Sequence, residues 1–577
     1  MEGGKYFMVF LLLTLITATV CAQMIPVYRI TDWSKAGYPG KIPAYPVVKN
    51  ITDYGGKGNG TSANDPALQA AIASLNNQPG IVFFPAGIFL FNKPILLSSG
   101  IVLKGEGAGY TTLLFNLAGA NDLIKIAGAA SGTVANITAT VYKDSGIVLA
   151  DDARLFRVND YVKIYQNDAA LVNNSWALES VGQIVQIDKI EGNYIYFSDV
   201  LRRNYLLADT PKIRKLTMVT GVGVECLKVK RMDATPLQTS NIYFSNAANC
   251  WVRGVESDKS NFAHVKISGS THIEVSNSYF HGAFAYGGNG QGYGVTCEFT
   301  SGNCKIENNI FRQLRHAMLL QAGANGNVLS YNYSLQPFNT DTFPFNLSGD
   351  IVLHGNYPYQ NLFEGNIVQN IIADVSHGIN GPFNTFLRNR AELYGIFIVD
   401  GGGDSINIVG NEITGTGYLQ GNYYLQGNGN FEYGNMKKDT LVPEGTTQPI
   451  EKSYLYSSTP AFWNIATGWP SIGRSNLQGS KTIPAKQRFL AANGLTFCLS
   501  DYPVTYIFTG SGQWSVAANW ANNNMPPVLL SAGSEIVIDP PEGQKCVLDI
   551  SYVMNPGASL TVKEGKQFEI TGSLTMR

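Results

Sequence analysis

An all-β solenoid is the fold this sequence predicts, and three observations carry the prediction. Asparagines recur in apolar-flanked segments at Asn277, Asn309, Asn332, Asn366, Asn389 and Asn411, with spacings of 32, 23, 34, 23 and 22. The two long spacings contain Gly- or Pro-rich insertions at residues 287–294 and 337–349. A second column, five residues earlier, holds His272, Cys304, Asn327, Asn361 and Asn384. Stacked asparagine amides can bond the rungs above and below, so a solenoid selects such a ladder of one residue type. Apolar and polar residues also alternate over short runs, as at 306–311 and 362–368, which is the period of a strand. Finally, 61 glycines, 30 tyrosines and only 14% charged residues suit a β-rich protein with many turns.

Along the chain, residues 1–22 read as a secretory signal. Lys5 supplies the charged start, residues 8–16 the apolar run, and Val20, Cys21 and Ala22 the cleavage site. That run is too short to span a bilayer, so an exported protein without a transmembrane segment is expected. A formal net charge of −1 with no basic stripe argues against a nucleic-acid partner. Residues 23–136 are expected to form an N-terminal cap and the first coils. Within them, residues 65–75 read as a short amphipathic helix with Pro66 in its first turn, and 80–90 and 101–107 as strands. Residues 137–215 interrupt the coils as an antiparallel β insertion, with a hairpin turn at Glu191, Gly192 and Asn193. Central coils occupy 216–421, and a closing strap 422–500 packs Phe462, Trp463 and Trp469 over the last coil. A small β module spans 501–577. An oxidising location would allow Cys297 with Cys304, or Cys498 with Cys546, to pair, while Cys226 and Cys250 read as neighbours in successive coils. Oligomeric state is not encoded in any of these patterns.

The turn-rich residues 51–61, the helix after them and the Val-Phe-Phe-Pro-Ala-Gly stretch at 82–87 resemble the opening of the pectate-lyase-like superfamily. The resemblance is close over about 50 residues and loose over the coils. It implies a right-handed parallel β-helix whose capping helix covers an exposed strand edge that would otherwise template aggregation.

All six histidines lie between His264 and His377, and residues 354–361 nearly repeat at 377–384. Counting back from the asparagine column aligns Gln321, His354, His377 and Asp400 on one ridge of four coils. Imidazoles beside carboxylates exchange protons near neutral pH. His354 and His377 are therefore the expected acid/base pair, with Asp350 and Asp374 as orienting or acid groups. Arg388 and Arg390 are the expected carboxylate clamp. Arg315, His316, Gln321, Asp400, Tyr357 and Tyr359 are expected to contact substrate, and His264, His272 and His281 to be structural.

A long solenoid face suits a linear polysaccharide. A lyase needs a base for the proton α to a uronate carboxylate and positive groups to stabilise the enolate-like intermediate, which the His and Arg cluster would supply. A hydrolase needs two carboxyl groups roughly 5 to 9.5 Å apart. Ser376, His377 and Gly378 resemble the Gly-His-Gly of the polygalacturonase family, but its paired aspartates and Arg-x-Lys are missing. A third reading is a non-catalytic glycan-binding solenoid. No cofactor is required by these schemes; Asp350, Asp374, Asp400 and Asp404 form only a loose set for Ca²⁺.

Overall fold

A computed structural model of the chain describes residues 24–287, 290–340, 348–463, 465–473, 481–491, 495–498, 505–521, 525–526, 529–530, 534–554 and 557–576. The expected signal segment, residues 1–22, lies outside them.

The chain winds into a right-handed parallel β-helix with three strand-bearing faces. The first face is a continuous sheet running from Val48–Asn50 through Gly80–Phe84, Ala247–Arg253 and Leu362–Glu364 to Phe431–Tyr433. The second face includes Gly87–Phe91, Glu256–Ser260, Tyr279–Ala283 and Tyr333–Leu335. The third includes Ile124–Ala127, Ile242–Ser245, Ala263–Ser268, Tyr293–Glu298, His316–Leu320 and Ile351–Leu353. Faces two and three join because the strands Ile367–Ala373 and Arg390–Ile398 run straight through their shared corner, with a bulge between Val368 and Asn370. Such a bulge bends a strand without ending it.

Inward side chains build one core along the axis, including the stacked rings of Phe280 and Phe311 and of Phe363 and Phe386. Polar ladders close the turns beside it. Asn309, Asn332, Asn366, Asn389 and Asn411 each donate a side-chain N–H to the amide oxygen of the next rung, ending at Asn435. Each also donates to a backbone carbonyl, as Asn366 does to Leu329. In the first rung the ladder position belongs to Ser278, whose N–H donates to Asn309; Asn277 sits one residue off and pairs with Asn308. A second ladder runs through Asn327, Asn361 and Asn384.

The helix Asp65–Ala73 buries Ala67, Leu68 and Ala71 against the same core. Between Ile124–Ala127 and Val219–Thr220 the chain leaves the corner joining faces three and one to form a six-stranded antiparallel sheet with its own core. Past the coils, Trp469 donates to the Tyr331 hydroxyl, and the rings of Phe462 and Trp463 pack on Tyr331. Cys226 and Cys498 are joined as a disulfide. This corrects the pairings expected from sequence, because Cys297 and Cys304 meet only as hydrogen-bonded thiols in the core, and Cys546 is buried and free. Described residues from Thr505 onward form three short parallel sheets around Trp514, Trp520 and Tyr552, a small solenoid in its own right. Among the described residues no helix is long and apolar enough to cross a membrane.

Candidate active site

Three features enclose the middle of the third face. Its strands form the floor. The antiparallel insertion lies along one edge, and the connections between faces two and three, described at 284–287, 290–292, 336–340 and 348–350, lie along the other. The insertion is tied down by Tyr359, which donates to the Gly182 carbonyl, and by Asn356, which accepts from the Asn173 N–H. Arg203 lies over the rings of Tyr357 and Tyr359. These two tyrosines, expected to touch substrate, therefore serve as the seat of the insertion, and Tyr359 is 1% exposed. From the insertion, Trp176 reaches the floor edge, 5.3 Å from the His377 ring and 5.7 Å from Phe299.

Strand register defines a polar ridge at the ends of the third-face strands. Ser268 pairs with Glu298, and the pairings Cys297 with Leu320, Leu320 with Leu353 and Leu353 with Ala373 carry the row on through Gln321, His354 and Asp374. Asp374 occupies the place expected for His377. The coil from Ile351 to Ile371 is only 20 residues long, because the strand passing through the corner omits a turn. His377 lies three residues beyond, in the following turn. Asp400 lies one residue past the next rung and is exposed.

His354 Nδ1 lies 2.8 Å from Asp374 Oδ2. A carboxylate only accepts, so Nδ1 carries the hydrogen and Nε2 remains to exchange a proton with a ligand. The His377 ring stands 4.9 Å from that of His354 and perpendicular to it, at 89°. The two imidazoles are neighbours, with edge-to-face contact in place of the stack the repeat suggests. His316 lies on the other side of His354, 5.7 Å ring to ring, and donates from Nδ1 to the Gly349 carbonyl. Among the described residues, His316 Nε2, Gln321 Oε1 and Glu298 Oε1 are buried without a hydrogen-bond partner. His316 and Gln321 belong to the rung next to that of His354, and Glu298 to the one beyond it.

Burial works to raise the Asp374 carboxyl, but the hydrogen bond and charge of His354, with the Ser376 N–H, hold it below its ordinary range. Burial and the charge of His354 lower His377, against the pull of Asp374 and Glu298. Burial, His354 and Arg315 bring His316 down to about 3, so this ring is neutral in the folded protein.

Three expected participants are placed elsewhere. Asp350 is 1% exposed and accepts from Ser334 and from the Gln369 and Asn370 N–H groups; burial pushes it up to about 6. Arg388 does point outward, but its guanidinium donates to the carbonyls of Ile450, Glu451 and Ile472 in the strap. Arg390 is paired with Glu412 and donates to the Lys481 carbonyl. Neither forms the expected carboxylate clamp. The cations beside the ridge are Arg315, which donates to the Gly287 carbonyl, and Lys266, 3.6 Å from Glu298. Sequence reasoning did not single out Glu298, Lys266 or Trp176. Glu298 and Lys266 were detectable only once register was known, and Trp176 only once the insertion was docked. Among the described residues, no group of three or more His, Cys, Asp or Glu side chains is arranged to hold a metal ion.

Residues 48–182 match the family model of the rhamnogalacturonase A/epimerase, pectate lyase-like group. The match covers the first coils and the insertion, and the observed right-handed parallel β-helix agrees with it in fold. The chain is similar to a glucan 1,3-beta-glucosidase of Cochliobolus carbonum, 31% identical over 102 residues, 15% of this chain and 13% of that one. It is similar to a capsule K1-specific depolymerase of Klebsiella phage K64-1, 28% identical over 123 residues, 21% of this chain and 14% of that one. Another match is mannuronan C5-epimerase AlgE1 of Azotobacter vinelandii, 33% identical over 90 residues, 14% of this chain and 6% of that one. The chain thus spans a small part of the curated relatives it matches. Among solved structures, the tailspike gp61 of Pseudomonas phage phi297 superposes with a TM-score of 0.48 at 12% identity, covering 91% of this chain and 76% of that one.

Proposed function

We propose that this chain is an exported β-helix enzyme that depolymerises a uronate-containing polysaccharide by β-elimination, with His354 as the base. The observation that carries the reading is the hydrogen-bonded His354–Asp374 pair at the end of the third-face strands, beside His377 and Trp176 of the insertion. His354 Nε2 takes the proton α to the uronate carboxylate. The electron pair forms the new C=C bond as the C–O bond to the neighbouring sugar breaks, and the leaving oxygen takes up the proton that His354 has removed. Asp374 holds the imidazole in one tautomer and stabilises its charged form. The short matches to a phage capsule depolymerase and a mannuronan epimerase support a polysaccharide as the substrate class.

Hydrolysis is the less favoured alternative. With Asp350 sealed, a hydrolase would have to pair Asp374 with Asp400, exposed one residue past the adjacent rung, and Asp374 is already engaged by His354.

Incubation with a panel of uronate and neutral polysaccharides tests the proposal. New absorbance near 235 nm, from the unsaturated product, is expected with a uronate polymer. Reducing ends without that absorbance would mean hydrolysis. Binding without turnover on every polymer would leave a glycan-binding solenoid.

A further inference from the structure

Far from His354 on the same face, a groove of about 860 Å³ opens between the capping helix and the first third-face strands. Leu96 and Leu237 line it while remaining 69% and 58% exposed, an apolar pair that suits the C–H face of a sugar ring. Lys93 and Lys125 supply its positive charge. Two acids also line its wall: Asp65 accepts from the Asn92 and Lys93 N–H groups, and Asp122 from that of Ser240. Lys125, by contrast, has no carboxylate within ion-pair distance among the described residues, and its amine lies 5.7 Å from the Tyr243 ring.

Register connects this groove to the ridge. Lys125 pairs with Tyr243, Tyr243 with Lys266, and Lys266 with Thr296. Lys266 approaches the same Tyr243 ring from the other side, at 5.5 Å, so one aromatic face stands between two cations. Two residues further along the same strands, Ser245, Ser268 and Glu298 lead to His354. Five strand spacings separate the Lys125 and His354 strands, about 24 Å, a span of several sugar units.

We infer that this groove is a distal binding site for an acidic glycan chain, with Lys125 and Lys93 meeting its anionic groups and Leu96 and Leu237 its ring faces. The same chain runs over Tyr243 and Lys266 to the His354 cleft, and in that respect the inference rests on the function proposed above. A linear polymer bound this way gains affinity from both ends at once, which a short oligosaccharide cannot.

The His354→Ala protein reads binding without turnover, in native gels cast with polygalacturonate, alginate or neutral dextran. Retardation by one of the two uronate polymers is expected, weakened roughly tenfold when Lys125→Gln and Leu237→Ser are added. Both are surface positions, so unchanged thermal midpoints will confirm that the fold is intact. On the wild-type background the same pair should raise KM for polymer and leave turnover of a trisaccharide unchanged. Retardation indifferent to the two substitutions, equal in dextran, or absent from every gel overturns the inference. Groove-dependent retardation with no turnover by the wild type would sink the eliminative reading alone.

Discussion

Asp374 decides what His354 can do, because it fixes both the tautomer and the direction of the ring. Replacing His354 by Ala is expected to lower kcat by about 10²- to 10⁴-fold, the usual contribution of a positioned base. Asp374→Asn keeps a hydrogen-bond acceptor but removes the charge, so kcat should fall as well, with KM little changed. The pH profile separates this role from a structural one. His377 is held below an ordinary imidazole and Asp374 below an ordinary carboxyl, so at pH 6.5 and above the first is neutral and the second ionised. Activity should therefore persist at pH 6.5 and above and decline at lower pH as His377 takes up a proton, whose charge opposes proton transfer to His354 beside it. Because the Asp374 charge raises the His377 value, its loss in Asp374→Asn should move the His377 part of that acid limb to lower pH. An unmoved limb, or one moved upward, would show that Asp374 does not act through the imidazoles.

The wall and the ladders make separate contributions, one to binding and one to stability. Trp176 is 43% exposed and meets His377 edge-on, so Trp176→Ala should leave the fold intact and raise KM about three- to tenfold, the worth of one aromatic contact. Nothing in residues 137–215 announces that contact, since docking of the insertion depends on Tyr359 and Asn356, almost two hundred residues away. The asparagine ladder was legible because one residue type repeats at one spacing, and it carries a stability prediction. Asn366 accepts from the backbone and side chain of Asn332 and donates to Leu329 and Asn389. Asn366→Ala strands all of these buried groups, so a loss on the order of 3 kcal/mol or more is expected from the denaturant midpoint. The same counting misplaced His377, because it assumes equal coils, and the bulged strand Ile367–Ala373 omits a turn that composition does not reveal. Arg388 and Arg390 were legible as outward-facing. The groups that cover them are the carbonyls of Ile450, Glu451, Ile472 and Lys481, whose placement no local periodicity encodes.

Repetition makes the coils of this molecule predictable and leaves their closure to single, non-repeating contacts. A parallel β-helix has local neighbours only, each coil resting on the next, so its ends and covers are where stability is most easily lost. The Cys226–Cys498 bridge is such a contact: it ties the strap to the turn after the first-face strand Gly223–Glu225, across a sequence separation of 272. Closing so long a loop in the unfolded chain is worth up to about 5 kcal/mol by chain entropy. The floor of the cleft belongs to the third face, and its His354–Asp374 pair is held by register between Leu353 and Ala373, with no member supplied by the strap. Cys498→Ser should therefore lower the denaturant midpoint substantially while kcat at moderate temperature stays close to wild type. Reduction of the wild type should reproduce the shift in midpoint and leave the variant unaffected. If the variant instead lost activity while keeping its midpoint, the strap would have to act on the cleft directly, and the separation of closure from catalysis argued from these faces would be wrong.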